Sequence, residues 1–218
     1  MFPRICDALL EWPVSGQPAE EDHELVERVR QGNLDAFNTL VLAYQERIYN
    51  LCLRMLGSPP AAEDATQEAF IAAYKNVSKL RGANVRSWLF RIASNLCIDE
   101  LRRRQRRPLV SLDAPSPDEG AQSMDVPDAE PGPEAWALRS ELHEALQAEL
   151  LLLPRDQRLA VTLCDMEGLQ YEEIAEAMGS SVGTVKSRIS RGRARLRTRI
   201  REQPELFGHL LRPIEEGG

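Results

Sequence analysis

The sequence predicts an all-α protein of two small helical domains, joined by an acidic, proline-rich linker. In both halves of the chain apolar residues recur every three or four positions, which is the period of amphipathic helices. Between residues 108 and 133 this period stops and six prolines accumulate. Strand patterns do not alternate with helical ones, which argues against an α/β fold.

The charge of the chain is strongly segregated along its length. The formal net charge is −7, yet residues 81–107 hold eight arginines against two acids, and residues 109–135 hold seven acids and no cation. The local field decides where a polyanion docks, so an acidic total does not exclude a nucleic-acid partner.

Cysteine spacing and hydropathy exclude other classes of protein. The four cysteines are scattered without metal-ligand spacing, so we expect free thiols, no metal site and no cofactor. No segment approaches the ~18 apolar residues of a membrane span, and the N-terminus does not resemble a signal peptide. These features predict a cytoplasmic protein that is not inserted in a membrane.

Changes in composition divide the chain into five segments. Residues 1–21 are predicted to be a disordered arm, to which we assign no function. The two domains are expected at 22–107 and 135–203, separated by a flexible acidic linker at 108–134. Residues 204–218 form a short tail.

The first domain begins with a short helix near Asp22 and continues with a long one. The long helix carries an apolar stripe of Leu34, Phe37, Val41, Tyr44, Ile48, Leu51 and Met55. The next helix, near 61–80, has an inner face of small residues that allows close packing. Its outer side is either plain solvated surface or a docking face for a protein. That side presents Asp64, Gln67, Glu68 and Ile71, with Phe70 and Tyr74 beside them.

A loop at 81–85 leads into the last helix of the first domain. Its buried side is predicted to hold Leu89, Ile92, Leu96 and Leu101. A different side carries Trp88, Arg91, Asn95 and Arg102. Aromatic, amide and cationic groups on one basic face suit unstacked bases, although Trp88 taken alone could equally be a core residue.

The second domain ends in a helix-turn-helix pattern, after helices predicted at 136–153 and 155–166. A short helix at 171–178 is followed by Gly179, which can adopt positive φ and end it. Ser181 is a suitable N-cap for the next helix. Along that helix Val185, Ile189 and Leu196 face inward, and Gly192 stands where close packing is needed.

The outward side of this helix is polar and cationic. No acid occurs from Lys186 to Arg201. A helical hairpin with a solvated basic tail is the simpler alternative, but the spacing favours a recognition helix for the major groove. The side chains that face outward are Lys186, Ser187, Ser190 and Arg191.

Both halves resemble the extracytoplasmic-function (ECF) group of the bacterial sigma-70 family of RNA polymerase sigma factors. In the first half the resemblance is carried by DATQEAF at 64–70 and SWLFRIASNLCIDELRR at 87–103. In the second half it is carried by LP at 153–154, EGLQYEEIAEAMG at 167–179 and VGTVKSRISRGRARL at 182–196. It covers most of residues 22–201.

The resemblance implies a role for each motif. Contacts to core RNA polymerase are implied for Asp64, Gln67, Glu68 and Phe70. Opening and reading of the minus-ten promoter element is implied for Asn84, Trp88, Arg91, Asn95 and Arg102. Reading of the minus-thirty-five element is implied for the recognition helix, where Thr184 and Arg188 are expected to contact phosphates. The residues of this DNA-binding set are Ser181, Thr184, Lys186, Ser187, Arg188, Ser190 and Arg191.

The resemblance also implies partners and excludes catalysis. Core RNA polymerase, promoter DNA and a dedicated anti-sigma factor are the expected partners, and the acidic linker is expected to enter the nucleic-acid channel of the polymerase. A dimeric helix-turn-helix regulator would share the second domain, but its first domain should bind a ligand or a phosphoryl group. An enzyme is disfavoured, because His23, His143 and His209 lie far apart with no nucleophile motif nearby.

Overall fold

A computed structural model of the protein describes residues 21–80, 84–106 and 133–211. The first domain contains α1 (Glu21–Arg30), α2 (Leu34–Leu56), α3 (Pro59–Asn76), a 3-10 turn (Val77–Lys79) and α4 (Val85–Arg106). The second contains α5 (Pro133–Leu151), α6 (Arg155–Val161), a π turn (Thr162–Met166), α7 (Tyr171–Met178), α8 (Val182–Arg201) and α9 (Pro204–Leu211).

The described ranges are entirely helical or irregular and contain no strand, which confirms the predicted all-α class. None of their helices is both long and apolar enough to cross a bilayer. Residues 1–20 of the predicted arm, nearly all of the predicted linker and the end of the tail lie outside the described residues.

Helix α2 runs through the centre of the first domain. Its N-cap Asn33 accepts a hydrogen bond from the Ala36 amide at 3.0 Å, and Gly57 ends it in the left-handed region. Tyr44, Ile48, Leu51 and Met55 are buried as the stripe predicts. Leu34 is 58% exposed, because the stripe reaches the first turn of the helix before neighbouring helices cover it.

Helix α3 packs on α2 through small residues. Ala65, Ala69 and Ala73 are buried, which confirms the predicted inner face. Alanine at these positions lets the two backbones approach closely.

Helix α4 buries a different set of residues from the one predicted. Leu89 is buried, but Phe90, Ala93 and Cys97 share its environment, whereas Ile92, Leu96 and Leu101 are only half-buried. The physical reason is that α4 contacts α7 of the second domain as well as α2 and α3. Its buried surface therefore extends around the helix.

In the second domain α6 and α8 cross at a glycine. A Cβ added at Gly192 would lie 2.7 Å from Cγ2 of Val161 and 3.3 Å from the Gln157 carbonyl oxygen, so the predicted close packing is confirmed. The predicted helix at 155–166 changes to a π turn at Thr162. The tail contributes α9, whose Phe207 is fully buried in one cluster with Leu146 and Ile200.

The two domains are in contact. One cluster of buried apolar residues includes Phe90 and Ala93 of α4 together with Ile174 and Ala175 of α7. Around this cluster, polar side chains of each domain meet main-chain groups of the other.

Candidate nucleic-acid interface

The recognition helix α8 is positioned by local hydrogen bonds. Glu173 accepts a hydrogen bond from the Gln170 amide at 2.8 Å in a capping box that starts α7. Gly179 has φ 57°, which ends α7 and turns the chain. Ser181 Oγ then accepts a hydrogen bond from the Thr184 amide at 3.2 Å and caps α8. Each of these steps agrees with the helix-turn-helix predicted from the sequence.

The outward face of α8 is available to a ligand. Val185, Ile189 and Leu196 are buried beneath it, as predicted. The amides of the first turn and the helix dipole add a positive end to this face. Ser187 is half-buried, and the exposed members of the face are Thr184, Lys186, Ser190 and Arg191.

Several arginines of α8 serve the domain itself. Arg188 Nη2 lies 2.9 Å from Asp156 Oδ2, and Arg193 Nε lies 2.9 Å from Asp165 Oδ2. Arg199 pairs with Glu149. The run of cations without acids therefore overstates the free charge, because the acids that neutralise it come from other helices. Arg188 could contact a phosphate only in competition with Asp156.

Asn84 makes two side-chain hydrogen bonds at the start of α4. Its Oδ1 accepts a hydrogen bond from the Ser87 amide at 2.9 Å, which caps the helix. Its Nδ2 donates to Glu173 Oε1 of α7 at 2.9 Å. This candidate for minus-ten reading is thus engaged by the second domain.

The remaining minus-ten candidates share one side of α4. Arg91, Asn95 and Arg102 are exposed at helical spacing. Arg102 Nη1 lies 3.2 Å from Asp99 Oδ1, and an exposed pair of this kind contributes little to stability. Trp88 is half-buried and packs against the core, and its role in base stacking stays a prediction.

The candidates for polymerase binding on α3 do not all share a surface. Asp64, Gln67 and Glu68 are exposed together. Phe70, which the resemblance assigns to polymerase binding, does not share this surface, because the residue is 8% exposed and lies in the core, on the side of α3 that packs inward. Ile71 is 53% exposed and Tyr74 is 41% exposed. Helical periodicity places Ile71 on the same face as Asp64 and Glu68, so its exposure there was predictable from the sequence.

Comparisons with known proteins agree with this architecture in both halves. Residues 40–107 match the family model of Sigma-70 region 2, and residues 143–196 match that of Sigma-70, region 4. The RNA polymerase sigma-H factor of Pseudomonas aeruginosa is 42% identical over 179 residues, which cover 80% of this chain and 91% of that protein. The ECF RNA polymerase sigma factor SigW of Bacillus subtilis is 38% identical over 180 residues, covering 81% and 95%.

A solved structure has the same fold. It is the co-crystal structure of the sigma factor RpoE in complex with the anti-sigma factor NepR from Bartonella quintana. The TM-score is 0.56 at 25% identity, and the alignment covers 79% of this chain and 96% of that one.

The first domain matches Sigma-70 region 2, the second matches region 4, and the named relatives are matched over most of their length. The chain therefore belongs to the ECF group of the sigma-70 family of RNA polymerase sigma factors. It is an alternative sigma factor, which binds core RNA polymerase and directs it to promoters for transcription initiation. Such factors are not enzymes. Because the first domain matches region 2, the dimeric regulator considered from the sequence is excluded.

Proposed function

We propose that this sigma factor reads its promoter at two places, with α8 on the minus-thirty-five element and α4 on the minus-ten element. The observation that carries this proposal is the pair of exposed cationic faces on two separate helical domains. Each face combines phosphate-binding charge with side chains that can reach base edges.

On the upstream element, Lys186 and Arg191 contact base edges in the major groove. Each good contact of this kind supplies ~1–3 kcal/mol of discrimination against the wrong base. Ser187 and Ser190 add hydrogen bonds, while Ser181 and Thr184 at the start of α8 hold a phosphate. Arg188 binds a phosphate after its ion pair with Asp156 breaks.

On the downstream element, α4 captures bases that have left the duplex. The half-buried Trp88 offers an aromatic ring for stacking, Asn84 and Asn95 offer amide groups, and Arg91 and Arg102 follow the phosphates. Unstacking a base costs a few kcal/mol, which these contacts return. Binding energy alone therefore drives DNA melting, and no covalent chemistry is needed.

Core polymerase is bound by the exposed side of α3. Asp64, Gln67 and Glu68 form its polar part, and Ile71 and Tyr74 provide the apolar surface that Phe70 does not. An interface with apolar groups inside a polar rim has the usual anatomy of a protein contact.

We also propose the boundaries and the regulation of the protein. The first domain extends over 22–107 and the second over 133–211, since α5 begins at Pro133 and Phe207 of α9 is buried in the second domain; the acidic segment at 108–132 enters the nucleic-acid channel of the polymerase. The Bartonella quintana relative was crystallised with an anti-sigma factor, which supports a similar inhibitory partner here. The protein acts in the cytoplasm, where the polymerase works.

Run-off transcription with core polymerase tests the proposal. The wild-type chain should yield promoter-specific transcripts from a genomic fragment library. Asp64→Ala combined with Glu68→Ala should weaken co-purification with polymerase and leave duplex binding unchanged, with the exposed Glu63→Ala as the control. If the double variant lowered duplex binding but not polymerase binding, the proposed role of α3 would be wrong.

A further inference from the structure

Cations of α8 are held against the second domain in two different ways. Arg188, Arg193 and Arg199 each pair with a carboxylate from another element of the domain. Lys186 instead lies over an aromatic ring, with its Nζ 5.5 Å from the centre of the Tyr171 ring at the start of α7. Among the residues that the structure describes, no carboxylate pairs with Lys186. The two arrangements leave different amounts of charge for a ligand.

A carboxylate neutralises the cation that it holds, whereas an aromatic ring does not. The face of the ring attracts a cation through its quadrupole and carries no net charge, and the attraction acts within about 6 Å of the ring centre. A lysine ammonium has more than one N–H donor, so contact with the ring leaves donors for another acceptor. Lys186 is thus held in place with its full charge available to DNA.

The ring of Tyr171 is itself fixed by the start of α7. Gln170 is the N-cap of this helix, and its amide donates to Glu173 Oε2 at 2.8 Å in the capping box. Tyr171 is half-buried and packs against the apolar cluster that contains Ile174 and Val185. A ring with little freedom of its own restricts the lysine that lies on it.

Without the ring, Lys186 would be free to reach many acceptors. It is exposed on α8, and a lysine head group moves on a flexible four-carbon stem. Fixing one arrangement before DNA arrives lowers the entropy that is lost on binding. It also disfavours arrangements in which the ammonium swings to a phosphate, because these lose the contact with the ring. The ring therefore strengthens one contact with DNA and weakens its competitors.

We propose that Tyr171 is a specificity-determining positioning residue for the upstream element. Its ring holds the Lys186 ammonium where it contacts a base edge, and the hold is kept in the complex with DNA. Loss of the ring frees Lys186 to bind phosphates of any sequence, so preferred and random duplexes become more alike. The inference rests on the proposed function of Lys186 as a base reader, whereas the hold on Lys186 in the free chain does not.

Duplex binding by the full-length chain tests the role of the ring. The probes are a fluorescent pool of random duplexes and the duplex that the wild-type chain enriches most strongly from that pool. Tyr171→Leu keeps an apolar side chain and removes the ring. It should lower affinity for the enriched duplex about two- to fivefold, the worth of an exposed cation–ring contact, without lowering affinity for the random pool. An equal loss on both probes would overturn the proposal.

Tyr171→Phe is the matched control, since it keeps the ring and removes the hydroxyl. It should retain the wild-type preference for the enriched duplex. If it lost as much affinity as Tyr171→Leu, the hydroxyl would be responsible, and the positioning role would be refuted. Tyr171→Gln is a second ring-free variant, for use if Tyr171→Leu does not fold.

A double-mutant cycle shows whether Tyr171 acts through Lys186. Lys186→Met removes the ammonium and keeps a long unbranched side chain. In this background Tyr171→Leu should cause no further loss on the enriched duplex. In the Arg191→Ala background it should still cause its full loss, because independent contacts are additive. An undiminished loss in the Lys186→Met background would show that Tyr171 acts by another route.

Nuclear magnetic resonance tests the hold on Lys186 without DNA. Protons above the face of a ring are shifted upfield by its ring current. The ε-methylene protons of Lys186 should be shifted in the wild type and in Tyr171→Phe, and unshifted in Tyr171→Leu. The two other lysines of the chain, Lys75 and Lys79, are exposed and serve as internal references. Without an upfield shift in the wild type, the hold does not exist.

The binding data separate this proposal from the proposed function. If Lys186→Met left affinity for both probes unchanged, base reading by Lys186 would be wrong, and the specificity role of Tyr171 would fall with it. If Lys186→Met weakened only the enriched duplex and Tyr171→Leu changed nothing, the proposed function would stand and the role of Tyr171 alone would be lost.

Discussion

The two surfaces proposed to read DNA differ in access more than in chemistry. Both α4 and α8 present arginines and small polar side chains at helical spacing. The face of α8 is open from its N-cap onward, whereas the first turn of α4 is engaged by Glu173 and Glu176. The two helices are thus similar in residue type, whereas the contact between the domains restricts access to the first turn of α4.

Phe207→Ala should have the largest effect, because it removes packing that supports helix α8. Phe207 packs in the same cluster as Leu196 and Ile200 of α8. Truncating a buried phenylalanine typically costs ~3–5 kcal/mol of unfolding free energy. Denaturant titration should show that loss, while the neighbouring Leu206→Ala, at a residue 43% exposed, should cost far less. Equal effects would mean that α9 does not support α8.

Arg191→Ala should weaken upstream-duplex binding next most strongly. We expect a loss of ~1–3 kcal/mol on the preferred sequence, because a base-edge contact disappears. Arg195→Ala removes the same charge at an exposed site one turn later, and should lower affinity by a similar amount for every sequence. Electrophoretic mobility shifts with specific and scrambled duplexes measure both. A sequence-independent loss in Arg191→Ala would reduce its role to phosphate binding.

Asn95→Ala should have a smaller effect, which is confined to single-strand binding by α4. It should lower single-strand affinity by ~0.5–1.5 kcal/mol, the worth of one hydrogen bond. Duplex affinity should not change. Gln105→Ala, an exposed amide later on α4, is the control in fluorescence anisotropy. A matching loss in this control would show that α4 has no localised site.

The smallest effect is expected from pH acting on Glu167. Burial raises the pKa of this carboxyl above its ordinary value of 4.5, although Arg54, Arg47 and Arg86 lower it. Unfolding hydrates the group, so the folded chain binds a proton more readily. The contribution of Glu167 to the free energy of unfolding should therefore be fully present below the ordinary value and be lost as the pH rises through the raised pKa.

Denaturant titrations across that interval measure the effect of pH. The Glu167 contribution should raise the free energy of unfolding of the wild-type chain as the pH falls, whereas Glu167→Gln should respond less. A response of equal size in both proteins would assign the pH dependence to other groups.

The sequence was most informative where local chemistry decides the structure. The turn at Gly179, the cap at Ser181 and the close approach at Gly192 follow from short-range constraints on φ, hydrogen bonding and volume. The amphipathic pattern likewise predicted the centre of α2, at Tyr44 and Leu51.

Positions that depend on long-range packing were not predictable in this way. Phe70 belongs to the core, and the buried side of α4 is extended by a helix that lies more than 80 residues later in the chain. Burial of Arg47 and Glu167 has no sequence signal, because charged residues are ordinarily exposed. Phe207 follows a proline in a short tail, which by pattern favours an irregular end over a packed helix.

The capping of α2 by Gln147 and Arg158 has a consequence for divergence among relatives. Both bonds end on main-chain oxygens, which no amino-acid replacement in α2 can delete. Drift on α2 therefore leaves this part of the joint unchanged, whereas a single replacement at either donor loosens it. At the Glu167 carbonyl the arrangement is reversed, because the donors Arg47 and Arg86 belong to the first domain, so each half of the protein holds replaceable donors for the main chain of the other.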